Sequence, residues 1–217
     1  MSPLRWTLVV PLKPLARAKS RLADATGALR PELAMAFAQD TVAAALACPS
    51  VARVLVVSDD AVAGAALALL GAELLPDLPG AGLNAALAHG AEAARRHFGA
   101  GRVAALSADL PALRPEELDR VLRAAAGQRR AFLADAQGVG TTLLAAAAGV
   151  PLQPGFEGGS RLRHARSGAH ELTLPDVPSV RRDVDTLDDL REALALGTGP
   201  RTAALAALVG RSGGTPG

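Results

Sequence analysis

Cysteine occurs once in 217 residues, at Cys48, which excludes an intrachain disulfide framework and any multi-cysteine metal site. Its place suits a small apolar residue near a helix end. No run approaches the roughly 18 to 20 apolar residues of a membrane span, because Asp, Arg, Pro and Gly interrupt the Ala-rich stretches. The opening residues carry only a short apolar run before a charged segment, so they read as a first strand and not a secretory signal. A cytoplasmic enzyme is the expectation. Basic tracts interleaved with aromatics are missing too, and the net charge is only +2, so a nucleic-acid surface is not indicated. Neither GxxxxGK(S/T) nor GxGxxG occurs after the first strand, which argues against a P-loop NTPase and removes local support for a dinucleotide-dependent dehydrogenase.

Lysine is scarcer than the 23 basic residues suggest: only Lys13 and Lys19, both in the first loop. In a chain biased toward Ala, Gly and Arg, two surviving lysines mark a place where a compact, mobile ammonium is useful, or they survive by chance. The loop is a candidate phosphate site. Arg17, Ser20 and Arg21 add to a dense cationic stretch that could grip a triphosphate, against the alternative of a solvated basic loop.

Half of the chain is hydrophobic, enough for one substantial core. One α/β domain over residues 1–210 is expected, with a disordered tail at 211–217. Continuous apolar runs at 6–10, 53–57, 72–75 and 103–106 alternate with helical patterns near 30–48, 61–70, 83–98 and from 115 onward, as in a parallel sheet covered on both faces. The second half is less regular. Strands are expected at 131–134, 140–146, 171–174 and 180–184, and helices at 160–167 and 186–196. The fold class that follows is a doubly wound three-layer α/β sheet, mostly parallel, with an antiparallel extension in the C-terminal half that builds an acceptor site. Ligands of such folds bind at the carboxyl ends of the strands.

Three acidic clusters fall at strand ends: Asp59 and Asp60, Asp109, and Asp183 with Asp185. Asp59 and Asp60 immediately precede a helix and read as caps. Asp109 is the strongest candidate for a divalent cation, with a turn or cap aspartate as the competing reading. Asp183 and Asp185 stand two apart on the expected strand 180–184 and its end, where they would share a face. Asp185 is assigned to the metal and Asp183 is its neighbour or an alternative ligand. Thr186 and Asp189 have capping-box spacing. Gly138 to Thr142 and Gly158 to Arg161 offer backbone N–H groups, hydroxyls and a helix start for an anion. His164, four residues after Ser160, shares its helical face, although a lone histidine more often packs than catalyses.

In order and spacing, VVPLKPLARAKSRLA at 9–23, VLVVSDD at 54–60, GLNAAL at 82–87, SADLP at 107–111, GTTLL at 140–144, FEGGSRLRH at 156–164 and RRDVDTLDDL at 181–190 resemble the 2-phospholactate or phosphoenolpyruvate guanylyltransferases of deazaflavin coenzyme F-420 biosynthesis. That resemblance implies a nucleotidyltransferase fold of the GT-A, Rossmann-like type, magnesium as cofactor, GTP as donor, and phosphoenolpyruvate or 2-phospho-L-lactate as acceptor. The product would pass to a downstream transferase. It implies Lys13, Lys19 and Arg21 at the nucleotide phosphates, Gly82 and Asn84 near the nucleoside, and Asp109 and Asp185 on magnesium. Thr142, Gly159 and Ser160 would meet the acceptor. Lys19, Asp109 and Asp185 are the implied catalytic set. The chain departs from the family's F-G-x-x-S pattern in having Glu157 where glycine is common. A carboxylate there would repel an anionic acceptor unless it points outward. The alternatives are a related nucleotidyltransferase with a molybdopterin or sugar-phosphate acceptor, and a nucleotide-binding module without turnover.

Overall fold

The computed structural model describes residues 5–15, 19, 22, 26–99 and 101–212. Four parallel strands, β1 (Trp6–Pro11), β2 (Val51–Val57), β3 (Glu73–Leu75) and β4 (Arg102–Leu106), form one half of a seven-stranded sheet. β5 (Arg130–Ala134), β6 (Thr141–Ala146) and β7 (His170–Glu171) complete it in the order β3-β2-β1-β4-β6-β5-β7. β6 runs antiparallel to both its neighbours, and β5 pairs parallel with β7. The antiparallel extension expected of the second half is present.

Side chains of β1 alternate between two cores. Leu8 and Val10 join the cluster beneath helices α1 (Arg30–Ala47), α2 (Ala61–Ala68) and α4 (Pro115–Ala125), while Val9 faces α3 (Leu83–Phe98) on the other side. Gly90 lets α3 settle directly on the sheet: a Cβ there would lie 2.5 Å from Val9 Cγ1 and 2.8 Å from Val57 Cγ2. Cys48 is buried at the C-terminal end of α1, as its bland reading required. Among the described residues no helix is long and apolar enough to cross a membrane.

The strand expected at 180–184 is not formed. Pro178–Arg181 is instead a helical turn, α6, started by a proline at its first position, with Glu117 accepting from both Ser179 N (2.8 Å) and Ser179 Oγ (2.7 Å). Arg181 donates to the carbonyls of Ala134, Leu172 and Leu174, so this segment is held by a side chain where a ladder was expected. The strand expected at 171–174 is shortened to β7, after which Leu172 N still bonds Phe132 O at 2.9 Å. The other second-half helices are α5 (Ser160–Arg166) and α7 (Leu187–Leu196), close to their expected spans.

A last helix, α8 (Pro200–Ser212), had no counterpart in the sequence reading. Its N-terminus is bonded from far away: buried Asp40 on α1 accepts from Thr202 N at 2.8 Å. Gly199 permits that approach, since a Cβ there would lie 2.4 Å from Asp40 Cγ. Only the proline at the first turn signalled this helix locally.

Candidate functional site

The chain order reverses direction across the sheet between β1, whose sequence continues toward β2, and β4 on its other side. A cleft of about 730 Å³ opens there, within the usual range for small-molecule sites. One wall comes from the ends of β1 and β4, including Lys13, Lys19, Ser107 and Asp109. The second half adds Asp135, Thr141, Ser160, Asp183 and Asp185 to the lining.

The ends of β4 and of α6 are tied together by Val184 N donating to Asp109 O at 3.1 Å. Leu110 N donates to Thr41 Oγ1 on α1 at 3.0 Å, which fixes the turn carrying Asp109. Asp109, Asp183 and Asp185 therefore converge, although a loop and not a strand presents the latter two. Thr186 and Asp189 form the capping box that starts α7, so Thr186 has the structural role its spacing suggested. Asp60 caps α2 through Ala63 N and also accepts from Leu15 N, both at 3.0 Å, while Asp59 accepts from Asp77 N. Both are local braces.

Lys19 is the hub of the acidic cluster. Its Nζ donates to Asp185 Oδ1 at 2.7 Å and to Asp109 Oδ2. Burial works against its charge, yet Asp109 and Asp185 hold the ammonium well above its ordinary pKa. The backbone of Lys19 is left-handed, φ 55°, a conformation that a lysine adopts at a cost of order 1 kcal/mol. Asp183 is pushed the other way: burial first, then the charges of Asp109, Asp185 and Asp135, raise its pKa to about 7, with Lys19 opposing. One ammonium is thus shared among too many carboxylates.

Lys13 also lines the cleft and pairs with Glu157 at 3.3 Å, both side chains being more than half exposed. Glu157 also lines the cleft, where Lys13 pairs with its carboxylate. It does so from φ 76°, the backbone conformation for which the family's glycine is suited. Arg21 lies outside the described residues.

Asn84 does not present its amide to the cleft. It clasps the backbone of Phe156, donating to the carbonyl at 3.1 Å and accepting from the N–H at 2.7 Å, and so holds the loop that carries Glu157. Gly82 precedes α3 with φ 94°, a conformation that favours glycine, and neither it nor Asn84 lines the cleft. Of the three acceptor residues, Ser160 lines the cleft while Gly159 and Thr142 do not. Thr142 Oγ1 is buried with no hydrogen-bond partner among the described residues. Its neighbour Thr141 faces the cleft instead, beside an irregularity in the β5–β6 pairing.

Asp135 is a cleft residue that sequence reasoning missed. It accepts from Val139 N at 2.9 Å and Gly140 N at 2.7 Å, so these N–H groups are occupied by a carboxylate of the protein itself. A Cβ on Gly140 would fall 2.3 Å from Asp135 Oδ2. The signal was an aspartate followed by a glycine turn, an Asx pattern with no mark of function.

A protein of Thermomonospora curvata named phosphoenolpyruvate guanylyltransferase is 63% identical over 204 residues, covering 94% of this chain and 90% of that protein. Among solved structures, a nucleotidyl transferase from Methanothermobacter thermautotroptrophicus has a TM-score of 0.59 at 19% identity, covering 89% of this chain and 97% of that one. A Mycobacterium tuberculosis protein in complex with manganese has a TM-score of 0.54 at 22% identity, covering 88% and 97%. At such identities the likeness is one of fold. The profile described as guanylyl transferase CofC like matches residues 6–209, and the chain belongs to that family.

Proposed function

We propose that this chain transfers GMP from GTP to the phosphate of phosphoenolpyruvate and releases pyrophosphate. The observation that carries the reading is the convergence of Asp109, Asp183, Asp185 and Lys19 at the strand ends of a cleft also lined by Thr141 and Ser160. The acceptor is taken from the relative of Thermomonospora curvata, which bears that activity in its name.

The donor set fits a hard divalent cation, magnesium by preference. It offers oxygen ligands only, and burial together with the nearby charges of Asp109, Asp185 and Asp135 raises the pKa of Asp183, a crowding of carboxylates that a cation would relieve. Among the described residues no three candidate ligands are already gathered around one point, since Lys19 occupies the middle of the cluster. Asp109 and Asp185, with Asp183 as third, would hold the ion, which supplies charge neutralisation at the triphosphate.

The remaining chemistry is positioning. An ionised acceptor phosphate oxygen attacks the α-phosphorus of GTP in line, forming a P–O bond as the bond to pyrophosphate breaks. The nucleophile is already an anion, so no Ser, Cys or His nucleophile is needed. Lys19, once released from the aspartates, and Lys13, once released from Glu157, are the cations placed to meet the nucleotide phosphates. Ser160 and its neighbours receive the acceptor. A pyrophosphate-release assay with GTP, magnesium and each acceptor in turn tests the reading, with the downstream transferase present to consume the product. Release with GTP and phosphoenolpyruvate is expected; release only with a sugar phosphate, or none with any acceptor, would overturn it.

A further inference from the structure

His164 lies on α5 behind the acceptor wall and is 1% exposed. Its ring packs between Phe156, at 5.0 Å between centroids, and Phe132, at 5.8 Å. Both ring nitrogens are engaged. Gly155 N donates to Nε2 at 2.9 Å, and Nδ1 stands 3.0 Å from Thr141 Oγ1.

Those two contacts settle where the proton sits. Burial first, and then the charges of Arg130 and Arg163, lower the pKa of the ring to about 4, so it is neutral at physiological pH. A neutral imidazole carries one N–H. Nε2 accepts from the Gly155 amide and must be bare; the hydrogen is on Nδ1 and is donated to Thr141 Oγ1. The threonine oxygen is then the acceptor in that contact, and its own hydrogen is left to point elsewhere. Thr141 lines the cleft, as do Lys19 and Asp109.

We propose that His164 is a positioning residue: it orients the Thr141 hydroxyl as a hydrogen-bond donor toward the anionic acceptor, and through Gly155 it pins the loop that leads to Ser160. The inference rests on the guanylyltransferase reading for the identity of that anion, a phosphate or carboxylate of the acceptor. The threonine can recognise a negative oxygen because the histidine denies it the option of donating inward. A ring protonated on Nε2 instead would leave Nδ1 to accept, and would draw the threonine hydrogen out of the cleft.

Two measurements test it. In protein labelled with nitrogen-15 at histidine, the signals lost on His164→Gln identify the ring, and long-range proton–nitrogen correlation reads its tautomer. The Nδ1–H form is expected, unchanged between pH 6 and 8; an Nε2–H ring overturns the proposal without any reference to turnover. In kinetics, Thr141→Val and His164→Leu should each raise the acceptor KM by about tenfold, the loss of one hydrogen bond to a charged group, with the GTP KM within about twofold. His164→Asn, whose amide can replace the Nδ1–H donor, should recover most of the acceptor KM. Combining Thr141→Val with His164→Leu should add less than about twofold, because both remove the same interaction. Fully multiplicative effects, or equal losses in GTP KM, would reduce His164 to a core residue. A wild-type protein with no turnover on any acceptor would sink the guanylyltransferase reading, while the tautomer would still decide the orientation of Thr141.

Discussion

The Lys19 ammonium sits 2.7 Å from Asp185 while also bonding Asp109, so a cation of the chain itself occupies the space between two carboxylates suited to a metal. On the proposed metal assignment, Lys19 and a divalent ion would compete for the same oxygens. Lys19→Ala should bind Mn2+ or Mg2+ at least as tightly as wild type by calorimetry, yet lose about 2 to 4 kcal/mol of transition-state stabilisation in kcat/KM. Weaker metal binding in that variant would mean that the lysine organises the carboxylates and does not compete with the ion.

Asp109→Asn and Asp185→Asn should each abolish turnover with the fold intact, because an amide keeps the volume but cannot neutralise a dication. Asp183→Asn should cost less. Circular dichroism separates loss of fold from loss of chemistry, and wild-type turnover in Asp109→Asn would remove the metal assignment.

Glu157→Gly removes a side chain from a left-handed backbone position and frees Lys13. An exposed pair contributes little, about 0 to 1 kcal/mol, against a backbone cost of similar size. Stability in urea should therefore hold or rise by up to about 1 kcal/mol, and the KM for the anionic substrates should fall. A clear drop in stability would show the pair to be worth more than the strain.

Acid should expose the burial of His164. Its folded pKa of about 4 lies below the ordinary histidine value of about 6.5, so its contribution to stability is complete above about pH 6.5 and is lost as pH falls through about 4. Its ring is faced by Thr141, Gly155, Phe132 and Phe156, with Arg130 and Arg163 as the charges nearby. Denaturant midpoints between pH 7 and 4.5 should decline less steeply in His164→Asn than in wild type; parallel declines would assign the acid lability to other groups.

Gly90→Ala tests the contact of α3 with the sheet. Its Cβ would lie within 2.5 Å of Val9 Cγ1, so overpacking should cost about 1 to 3 kcal/mol in chemical denaturation. An unchanged midpoint would show that the helix can ride outward freely.

The first half of the fold was legible because its strands are unbroken apolar runs that end in polar turns, and Asp109 announced itself by falling at such an end. The second half was not. At 178–185 the backbone is set by Glu117 and by Arg181 bonding three distant carbonyls, and no local pattern encodes partners so remote. The same holds for α8, whose start is bonded by Asp40, some 160 positions earlier. Asn84 and Thr142 have the residue types of ligand contacts. Only the folded chain shows that Asn84 clasps a loop and that Thr141, one position away from Thr142, is the threonine lining the cleft.

Two of the ion pairs at the cleft join residues 144 and 166 positions apart, Lys13 to Glu157 and Lys19 to Asp185. During synthesis, the lysine loop leaves the ribosome long before either carboxylate exists. A nascent chain that has completed β1 to β4 can shape the parallel half of the sheet, but it offers Lys19 only Asp109 as a partner. On the proposed assignment, a site that needs Asp185 would be completed only when residues 183–185 dock, late in synthesis.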